Sequence, residues 1–215
     1  MNKEKLYDRI AGWYDLRHHS QTLWADDFHR EQVIHHAGIK NNERVLELGV
    51  GTGITIIRAY QDNPNARYIG IDISLGMLEQ AVRKLEKLDL DNRIELIRGD
   101  IENLPFGNNS IDKIISTYGL GWMQNPQRVI KEVRRVAKPN ARITLAEMSE
   151  PPKEYRFRNW VHNKFVEPWI YYFWNFRDLD LKKIFEEGGF TIEHYKWFNN
   201  WFLGSTSLIS GRVVK

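Results

Sequence analysis

Three alternating glycines, set between two acidic residues, form the part of this chain whose spacing indicates chemistry. Glu47 lies in an apolar run, Gly49, Gly51 and Gly53 follow it, and Asp72 comes after a second apolar run. Such runs suit buried strands of a parallel sheet. Glycines let the chain turn sharply and let a ligand approach bare backbone. A carboxylate at the end of the next strand can accept both hydroxyls of a ribose, so the pattern predicts a nucleoside site.

The spacing of the glycines separates this site from other nucleotide-binding loops. Dinucleotide-binding folds use G-x-G-x-x-G, and a phosphate-binding loop ends in Lys followed by Ser or Thr. Here the glycines run G-x-G-x-G and Ile54 follows directly. The spacing therefore argues against a nicotinamide-dependent reductase and against a nucleoside triphosphatase.

The rest of the chain predicts strands and helices in alternation. Ser74 is a candidate N-cap for a helix over 75–88. Further downstream the pattern predicts strands over 94–101 and 111–117, a helix over 126–137 and a fifth strand over 142–148. Asn140 can replace glycine in the turn before that strand because asparagine tolerates the left-handed region. The fold class predicted is α/β, with a doubly wound, mostly parallel sheet.

Three segments carry a resemblance to a known family. The pattern E-x-G-x-G-x-G with an acid beyond the next strand resembles class I S-adenosylmethionine-dependent methyltransferases. Residues 132–143 are similar to the family pattern E-x-x-R-V-L-K-P-G-G-x-L. Residues 7–15 resemble the F/Y-x-x-I-A-x-x-Y-D opening of the subgroup that methylates quinone precursors, phospholipids and other small molecules. The resemblance covers residues 7–150, and its departures at Val50 and Asn140-Ala141 remove no cofactor contact.

The resemblance implies a seven-stranded Rossmann-like methyltransferase fold with S-adenosylmethionine as cofactor. Glycine backbone would approach the methionine part, Glu47 its amino group, and Asp72 the ribose hydroxyls. The expected cofactor-binding residues are Tyr14, Glu47, Gly49, Gly51, Gly53, Asp72, Ile73, Asp100, Ile101 and Thr117. Among them, Ile73 and Asp100 would meet the adenine, Thr117 would lie beside the sulfonium, and Tyr14 would contact or cover the methionine carboxylate.

Methyl transfer from a sulfonium is an in-line displacement that needs no covalent catalysis by the protein. Alignment of the two reactants can lower the barrier by roughly 7–11 kcal/mol. A general base is needed only where the acceptor must lose a proton, and the candidates are Tyr118, His18, His19 and Glu147. The adjacent pairs His18-His19 and His35-His36 point apart on a helix and match no zinc pattern, so no metal site is expected.

The chain is expected to form a single domain over 1–215. Its predicted parts are a helical N-terminal cap over 1–36, a cofactor-binding core over 37–150, an aromatic-rich insertion over 151–177 and a helix with a strand pair over 178–215. Neighbouring aromatic residues cannot all face inward on a regular element, so some should meet the acceptor. The candidate acceptor contacts are Trp122, Trp160, Trp169, Tyr172 and Trp174. The alternative is a small aromatic core beneath a lid.

Composition limits the possible functions. The chain has 31 basic and 28 acidic residues and a net charge of +3, which is too balanced to indicate nucleic-acid binding. The absence of cysteine excludes disulfides and thiolate zinc sites. Without a long apolar run or an apolar leader, the expected location is the cytoplasm. Peripheral contact with a membrane surface remains open, and the sequence does not predict an oligomeric state.

The function predicted is methyl transfer to a small, largely apolar or lipid-like acceptor. C-methylation of a quinone precursor and N-methylation of a phospholipid or amine are both open, because an aromatic pocket suits either acceptor. Residues 117–120 contain no N-P-P-Y or D-P-P-Y tetrapeptide, so methylation of nucleic acid or protein is disfavoured. The alternative is a non-catalytic S-adenosylmethionine-binding protein that acts as a sensor or scaffold.

Overall fold

The computed structural model describes residues 3–15, 25–121, 123, 125–149, 160, 164–165, 179–199 and 205–215. Its helices are α1 (Lys3–Ile10), continued by a 3₁₀ turn (Ala11–Trp13), α2 (Ala25–Ala37), α3 (Ile54–Asp62), α4 (Leu75–Lys87), α5 (Pro126–Val136) and α6 (Leu181–Gly188). Its strands are β1 (Arg44–Leu48), β2 (Arg67–Asp72), β3 (Ile94–Arg98), β4 (Ile111–Thr117), β5 (Ala137–Ser149), β6 (His194–Asn199) and β7 (Ser205–Arg212).

The strands form one seven-stranded sheet with the order β3-β2-β1-β4-β5-β7-β6. The first five strands in this order pair in parallel. Strand β7 inserts between β5 and β6 and runs antiparallel to both. The predicted α/β class with a doubly wound, mostly parallel seven-stranded sheet is confirmed.

Helices cover both faces of the sheet because strand residues alternate between the faces. On one face α2, α3 and α4 pack on residues such as Val45 and Ile115. On the other face α5 and α6 pack on residues such as Leu46 and Ile114. Phe185 of α6 is completely buried there. The carboxyl ends of the parallel strands therefore open at one edge between two helical layers, where a ligand can meet the loops.

Several local features match the patterns in the sequence. The Ser74 side chain accepts a hydrogen bond from the Met77 backbone N–H at 3.2 Å and begins α4. Asn140 has a φ of +62°, the left-handed conformation expected of it, but it lies within β5 (Ala137–Ser149), which begins five residues before the predicted strand. Gly189 ends α6 with a φ of +65°. These residue types fix where the elements begin and end.

The N-terminal segment divides into two parts that pack in different places. The stretch formed by α1 and the 3₁₀ turn lies against α4, whereas α2 packs against β4, β5 and β7. We call residues 3–15 the cap. Polar links hold the cap, among them those that join Glu4 to Arg98 at 2.5 Å, Asp8 to Ser74 at 2.6 Å and Asp15 to Lys84 at 2.5 Å. The predicted cap over 1–36 thus includes a helix, α2, that belongs to the layer over the sheet.

Most of the predicted insertion over 151–177 lies outside the described residues. Within it, the rings of Trp160 and Phe165 meet edge to face at 6.0 Å and are both exposed. Among the residues that the structure describes, no helix has the length and apolar character needed to cross a membrane.

Candidate functional site

A cavity of about 580 Å³ lies where the loops after β1, β2, β3 and β4 meet. Its volume is within the range of ordinary small-molecule sites. The cap closes one side through Glu4, Tyr7 and Tyr14. The cavity is lined by the predicted cofactor residues Tyr14, Glu47, Gly49, Gly51, Asp72, Ile73, Asp100, Ile101 and Thr117. The fold thus brings nine of the ten predicted cofactor residues together, eight from the carboxyl ends of four strands and Tyr14 from the cap.

The glycine loop allows two backbones to touch. A β-carbon on Gly49 would lie 2.8 Å from Cα of Gly119, and Gly49 has a φ of +65°. Gly51 also has a positive φ, +54°. Gly53 has another role, since it lies outside the cavity lining and caps α3 with a φ of +81°. A β-carbon there would lie 3.2 Å from the Ala81 β-carbon, so Gly53 lets α3 and α4 approach each other.

The Asp72 carboxylate is held in place by the backbone at the end of β2. One oxygen accepts from the Gly51 N–H at 2.8 Å, and the other accepts from the Ser74 N–H at 2.9 Å. Burial raises the pKa of Asp72, and backbone hydrogen bonds from Ser74, Gly51 and Ile73 oppose that rise. The carboxylate therefore presents its remaining lone pairs to the cavity in a fixed orientation, as an acceptor for ribose hydroxyls requires.

Apolar surface and a second acid lie at the ends of β2 and β3. The side chain of Ile73 is 46% exposed and lines the cavity beside Ile101. One Asp100 oxygen accepts from the Glu102 backbone N–H at 2.9 Å, which orients the carboxylate. A flat base with an exocyclic amine needs this combination of an apolar surface and an acceptor.

A buried acid, Glu47, and a buried guanidinium, Arg30, line the cavity near the glycine loop. Glu47 is 1% exposed and Arg30 is 8% exposed. Burial raises the pKa of Glu47 to about 8, although the Arg30 guanidinium and a hydrogen bond from Thr55 oppose the rise. Arg30 donates to the Thr55 hydroxyl at 2.7 Å. Within the described part of the chain, Glu47 Oε2 and Arg30 Nε have no hydrogen-bond partner.

The two buried polar atoms without a partner, Glu47 Oε2 and Arg30 Nε, indicate which ligand fits the cavity. A buried polar group without a partner costs roughly 1–3 kcal/mol, so a ligand that supplies partners at both atoms is favoured. An amino-acid group carries an ammonium for a carboxylate and a carboxylate for a guanidinium. Together with the acceptors on β2 and β3, the cavity fits a nucleoside that is joined to an amino acid, as in S-adenosylmethionine.

Sequence reasoning missed Arg30, although its position carries a signal. The buried residues Asp26, Arg30, Val33, Ile34 and Ala37 are spaced as one face of a helix. Asp26 and Arg30, four residues apart, therefore lie on the same buried face of α2 as its apolar residues. Charged side chains are rarely buried unless they are paired or bind a ligand, and this position could have been recognised on that basis.

The predicted catalytic residue Glu147 lies outside the cavity lining. It is fully buried on β5 and accepts from the Leu120 backbone N–H at 2.9 Å and from the Ser116 hydroxyl at 3.3 Å. Burial raises its pKa to about 8, and backbone hydrogen bonds from the loop after β4 oppose the rise. Glu147 thus fixes the loop that follows β4.

Tyr118, in contrast, lines the cavity. It is not glycine, yet it has a φ of +58°, a backbone conformation that is strained for a bulky side chain. Burial raises the pKa of its phenol, so the hydroxyl stays protonated at neutral pH.

The remaining predicted catalytic and acceptor-binding residues do not line the cavity or are not described. Trp160 lies outside the cavity lining. Six lie outside the described residues, namely His18, His19, Trp122, Trp169, Tyr172 and Trp174.

The fold and this site define a class of proteins, the Rossmann-like S-adenosylmethionine-binding proteins. A family model described as a methyltransferase domain matches residues 39–189. The chain therefore belongs to the methyltransferase domain family. Its cofactor is S-adenosylmethionine, and it is a methyltransferase enzyme.

Curated relatives place the chain near one group within this family. It is 33% identical over 166 residues to demethylmenaquinone methyltransferase of Thermotoga maritima, covering 77% of this chain and 69% of the relative. It is 32% identical to the ubiquinone/menaquinone biosynthesis C-methyltransferase UbiE of Syntrophotalea carbinolica, covering 68% and 61%. With the demethylmenaquinone methyltransferase of Symbiobacterium thermophilum the identity is 30%, covering 89% and 86%. The first relatives are thus matched over about 60–70% of their length.

Solved structures share the fold at low identity. The geranyl diphosphate C-methyltransferase of Streptomyces coelicolor, with S-adenosyl-L-homocysteine bound, has a TM-score of 0.72 and 13% identity, covering 86% of this chain and 79% of that chain. The [4+2]-cyclase SpnF has a TM-score of 0.73 and 18% identity, covering 88% and 81%. At these identities the likeness shows the fold alone.

Proposed function

We propose that this enzyme transfers a methyl group from S-adenosylmethionine to a ring carbon of a reduced quinone precursor. The observation that carries the proposal is the identity of 30–33% to relatives whose names specify demethylmenaquinone or ubiquinone/menaquinone C-methylation. The substrate would be a small, largely apolar ring compound. None of the three relatives compared above is named as a phospholipid methyltransferase or as a non-catalytic protein.

In this proposal the carboxyl ends of β2 and β3 bind the nucleoside. Asp72 accepts from the ribose hydroxyls, because two backbone N–H groups already orient its carboxylate. Ile73 and Ile101 cover the faces of the base, and Asp100 accepts from its amine. Charge-assisted hydrogen bonds of this kind contribute roughly 1.5–3 kcal/mol each, which is sufficient for selective binding of the nucleoside.

The methionine part of the cofactor would lie between Arg30 and Glu47. Its carboxylate would accept from the Arg30 guanidinium, and its ammonium would donate to Glu47 Oε2. Gly49 and Gly51 leave room for this part because neither has a β-carbon. Tyr14 of the cap and Thr117 of β4 line the same cavity and complete its wall. When bound, S-adenosylmethionine supplies a methyl group on a positively charged sulfur, which is already a strong electrophile.

The protein's own contribution is alignment and exclusion of water. The cap covers the cavity with Tyr7 and Tyr14, whose rings meet edge to face at 5.9 Å. The loop after β4 is fixed from behind by Glu147 through the Leu120 N–H. A fixed loop and a closed cap keep the acceptor carbon in line with the methyl group, and such orientation is a large part of methyl-transfer catalysis.

The direct test is methyl transfer with a defined acceptor. Purified protein is incubated with S-adenosylmethionine carrying a labelled methyl group and with a prenylated naphthohydroquinone that lacks the ring methyl. We expect one labelled methyl on the ring carbon, identified by mass and by NMR. The matched control is phosphatidylethanolamine in vesicles, which should stay unlabelled. Label in the phospholipid alone would contradict the proposal, and cofactor binding without label in either acceptor would favour the non-catalytic alternative.

Peripheral membrane contact and a cytoplasmic location stay predictions. A prenylated acceptor is apolar enough to reside in a bilayer, and it would bring the enzyme to the membrane surface. Flotation of the protein with anionic vesicles, with and without the acceptor, measures this contact directly.

A further inference from the structure

His29, on α2, makes a hydrogen bond that joins it to the cavity. Its Nδ1 lies 2.5 Å from the Tyr118 hydroxyl. The same hydroxyl lies 3.1 Å from the Thr206 hydroxyl of β7. His29 is 2% exposed, and the ring of Phe198 packs on its ring at 5.1 Å. The imidazole is therefore held in one orientation, with Tyr118 between it and the cavity.

The position of this pair along the sheet distinguishes it from the cofactor residues. Residues for the base and ribose follow β3 and β2, and the sheet then continues through β1 to β4. Neighbouring strands lie about 4.8 Å apart, so Tyr118 at the end of β4 lies about 10 Å from the ribose-binding acid on β2. Thr206 lies on β7, still farther along. The pair thus belongs to the end of the cavity where a methyl acceptor would bind.

We propose that Tyr118 and His29 form a proton relay that removes the hydroxyl proton of the ring acceptor during methyl transfer. The inference rests on the proposed function, since it needs an acceptor that carries a hydroxyl. Tyr118 would be the catalytic residue that touches the acceptor, and His29 acts through Tyr118.

The relay conserves every proton. The acceptor O–H bond breaks as its proton passes to the Tyr118 oxygen, and the proton that Tyr118 carried passes to His29 Nδ1. The electron pair that remains on the acceptor raises the nucleophilicity of the ring carbon. After transfer, the ring carbon loses its own proton to water as aromaticity is restored, and the proton held on His29 returns through Tyr118 to the ring oxygen. The net products are the methylated ring, S-adenosylhomocysteine and one proton.

Two properties of Tyr118 suit this role. Burial keeps the phenol protonated, so the hydroxyl can donate to an imidazole while its oxygen accepts from a second hydroxyl. Its left-handed backbone, with a φ of +58°, fixes the direction of the side chain at an energetic cost. An imidazole nitrogen that accepts a hydrogen bond from the hydroxyl can take up the proton that a base must receive.

Charged groups from several elements act on the pair and bear on its pH dependence. From α2 and β5 these groups are Asp26, Arg30 and Glu147. Strand β6 contributes Lys196, whose ammonium lies 5.2 Å from the centre of the Phe198 ring. Each variant tested must therefore leave these groups unchanged.

The test compares Tyr118→Phe and His29→Asn with the wild type, using the naphthohydroquinone acceptor. We expect kcat to fall by about 10²–10⁴-fold in both variants, the usual contribution of general base catalysis. The acidic limb of the kcat–pH profile should disappear in His29→Asn. Affinity for S-adenosylhomocysteine, measured by calorimetry, should stay within about twofold, because neither change removes a proposed cofactor contact. Tyr195→Phe is the matched control, since its hydroxyl bonds to Ser207 outside the cavity lining.

A second readout does not depend on turnover. The titration of His29, followed by NMR of the isotopically labelled holoenzyme, should shift when Tyr118 is replaced by Phe and not when Tyr195 is. Variants that keep the wild-type kcat and pH profile would overturn the relay and leave the proposed function standing. Variants that lose S-adenosylhomocysteine affinity and activity together would also overturn it, because the pair would then be structural. A wild type that methylates no hydroquinone would remove the proposed function, and the relay with it.

Discussion

Gly49 and Gly119 lie so close that a β-carbon on Gly49 would come within 2.8 Å of Cα of Gly119. The obstacle is backbone, which cannot move aside as a side chain can. The positive φ of Gly49 adds roughly 1–2 kcal/mol of strain for any other residue. The loops after β1 and β4 can therefore pack backbone against backbone only because both contact residues are glycine.

We expect Gly49→Ala to destabilise the protein by at least about 2 kcal/mol, which lowers Tm by roughly 5 °C or more in a chain of this size. Differential scanning calorimetry measures the change. Gly107→Ala is the control, because no atom lies within 4 Å of a β-carbon placed there. Equal Tm values for the two variants would show that the loops can separate without cost.

Asp72→Ala should weaken binding of S-adenosylhomocysteine by about 10- to 100-fold. The change removes a charged acceptor from the proposed ribose site and leaves the Gly51 and Ser74 N–H groups without their carboxylate partner. Calorimetric titration gives the affinity, with the exposed Asp91→Ala as control. Unchanged affinity would remove Asp72 from the site.

Arg30→Gln should discriminate between two ligands. S-adenosylhomocysteine carries the amino-acid group, whereas methylthioadenosine has the same nucleoside without it. We expect the variant to bind S-adenosylhomocysteine at least about tenfold more weakly and methylthioadenosine with unchanged affinity, because only the first offers a carboxylate to the guanidinium. Equal losses for both ligands would mean that Arg30 supports the fold of the cavity and does not bind the methionine part.

The affinity for S-adenosylhomocysteine should depend on pH through Glu47. Its pKa of about 8 in the free protein means that it is largely protonated at pH 7, while the bound ammonium favours the ionised form and lowers the pKa. Affinity should therefore fall as pH drops from about 8.5 to 7, by up to about tenfold. Calorimetry at several pH values measures the slope, which Glu47→Gln should abolish. A slope that persists in this variant must come from another group.

Glu147 should make the stability of the protein depend on pH. Burial raises its pKa from 4.5 in the unfolded chain to about 8 in the folded protein, so the folded state binds more protons between these values. The stability it contributes is complete below pH 4.5 and is lost as pH rises through 8. Urea unfolding from pH 5 to pH 8.5 should show this decline. It should be smaller in Glu147→Gln and unchanged in the exposed control Glu95→Gln.

The sequence could predict the elements whose determinants are local. The Ser74 cap, the left-handed backbone of Asn140 and the position of Asp72 each follow from a residue type and its immediate neighbours. The strand and helix order then brings the ends of β1, β2, β3 and β4 to one edge of the sheet, and this places most of the predicted cofactor residues in one cavity.

The contacts of α2 could not be read in the same way. His29 and Tyr118 are 89 residues apart, and nothing in either local sequence specifies that their side chains meet. For Glu147 the sequence predicts a catalytic role, because the acid lies near the end of a central strand. Its hydrogen-bond partners show that it holds the loop after β4 instead. Its hydrogen bonds to Ser116 and Leu120 depend on the packing of two strands.

The arrangement of α2 has a consequence for redesign of the enzyme. Successive residues of a helix point about 100° apart, so His29 faces Tyr118 while its neighbour Arg30 faces the Thr55 hydroxyl. A rotation or shift of this one helix would move both side chains at once. Attempts to evolve a new acceptor preference through α2 would therefore alter affinity for the methyl donor as well. Strand β7, which contacts the Tyr118 hydroxyl through Thr206 and contributes no residue to the described cavity lining, is the better place to begin.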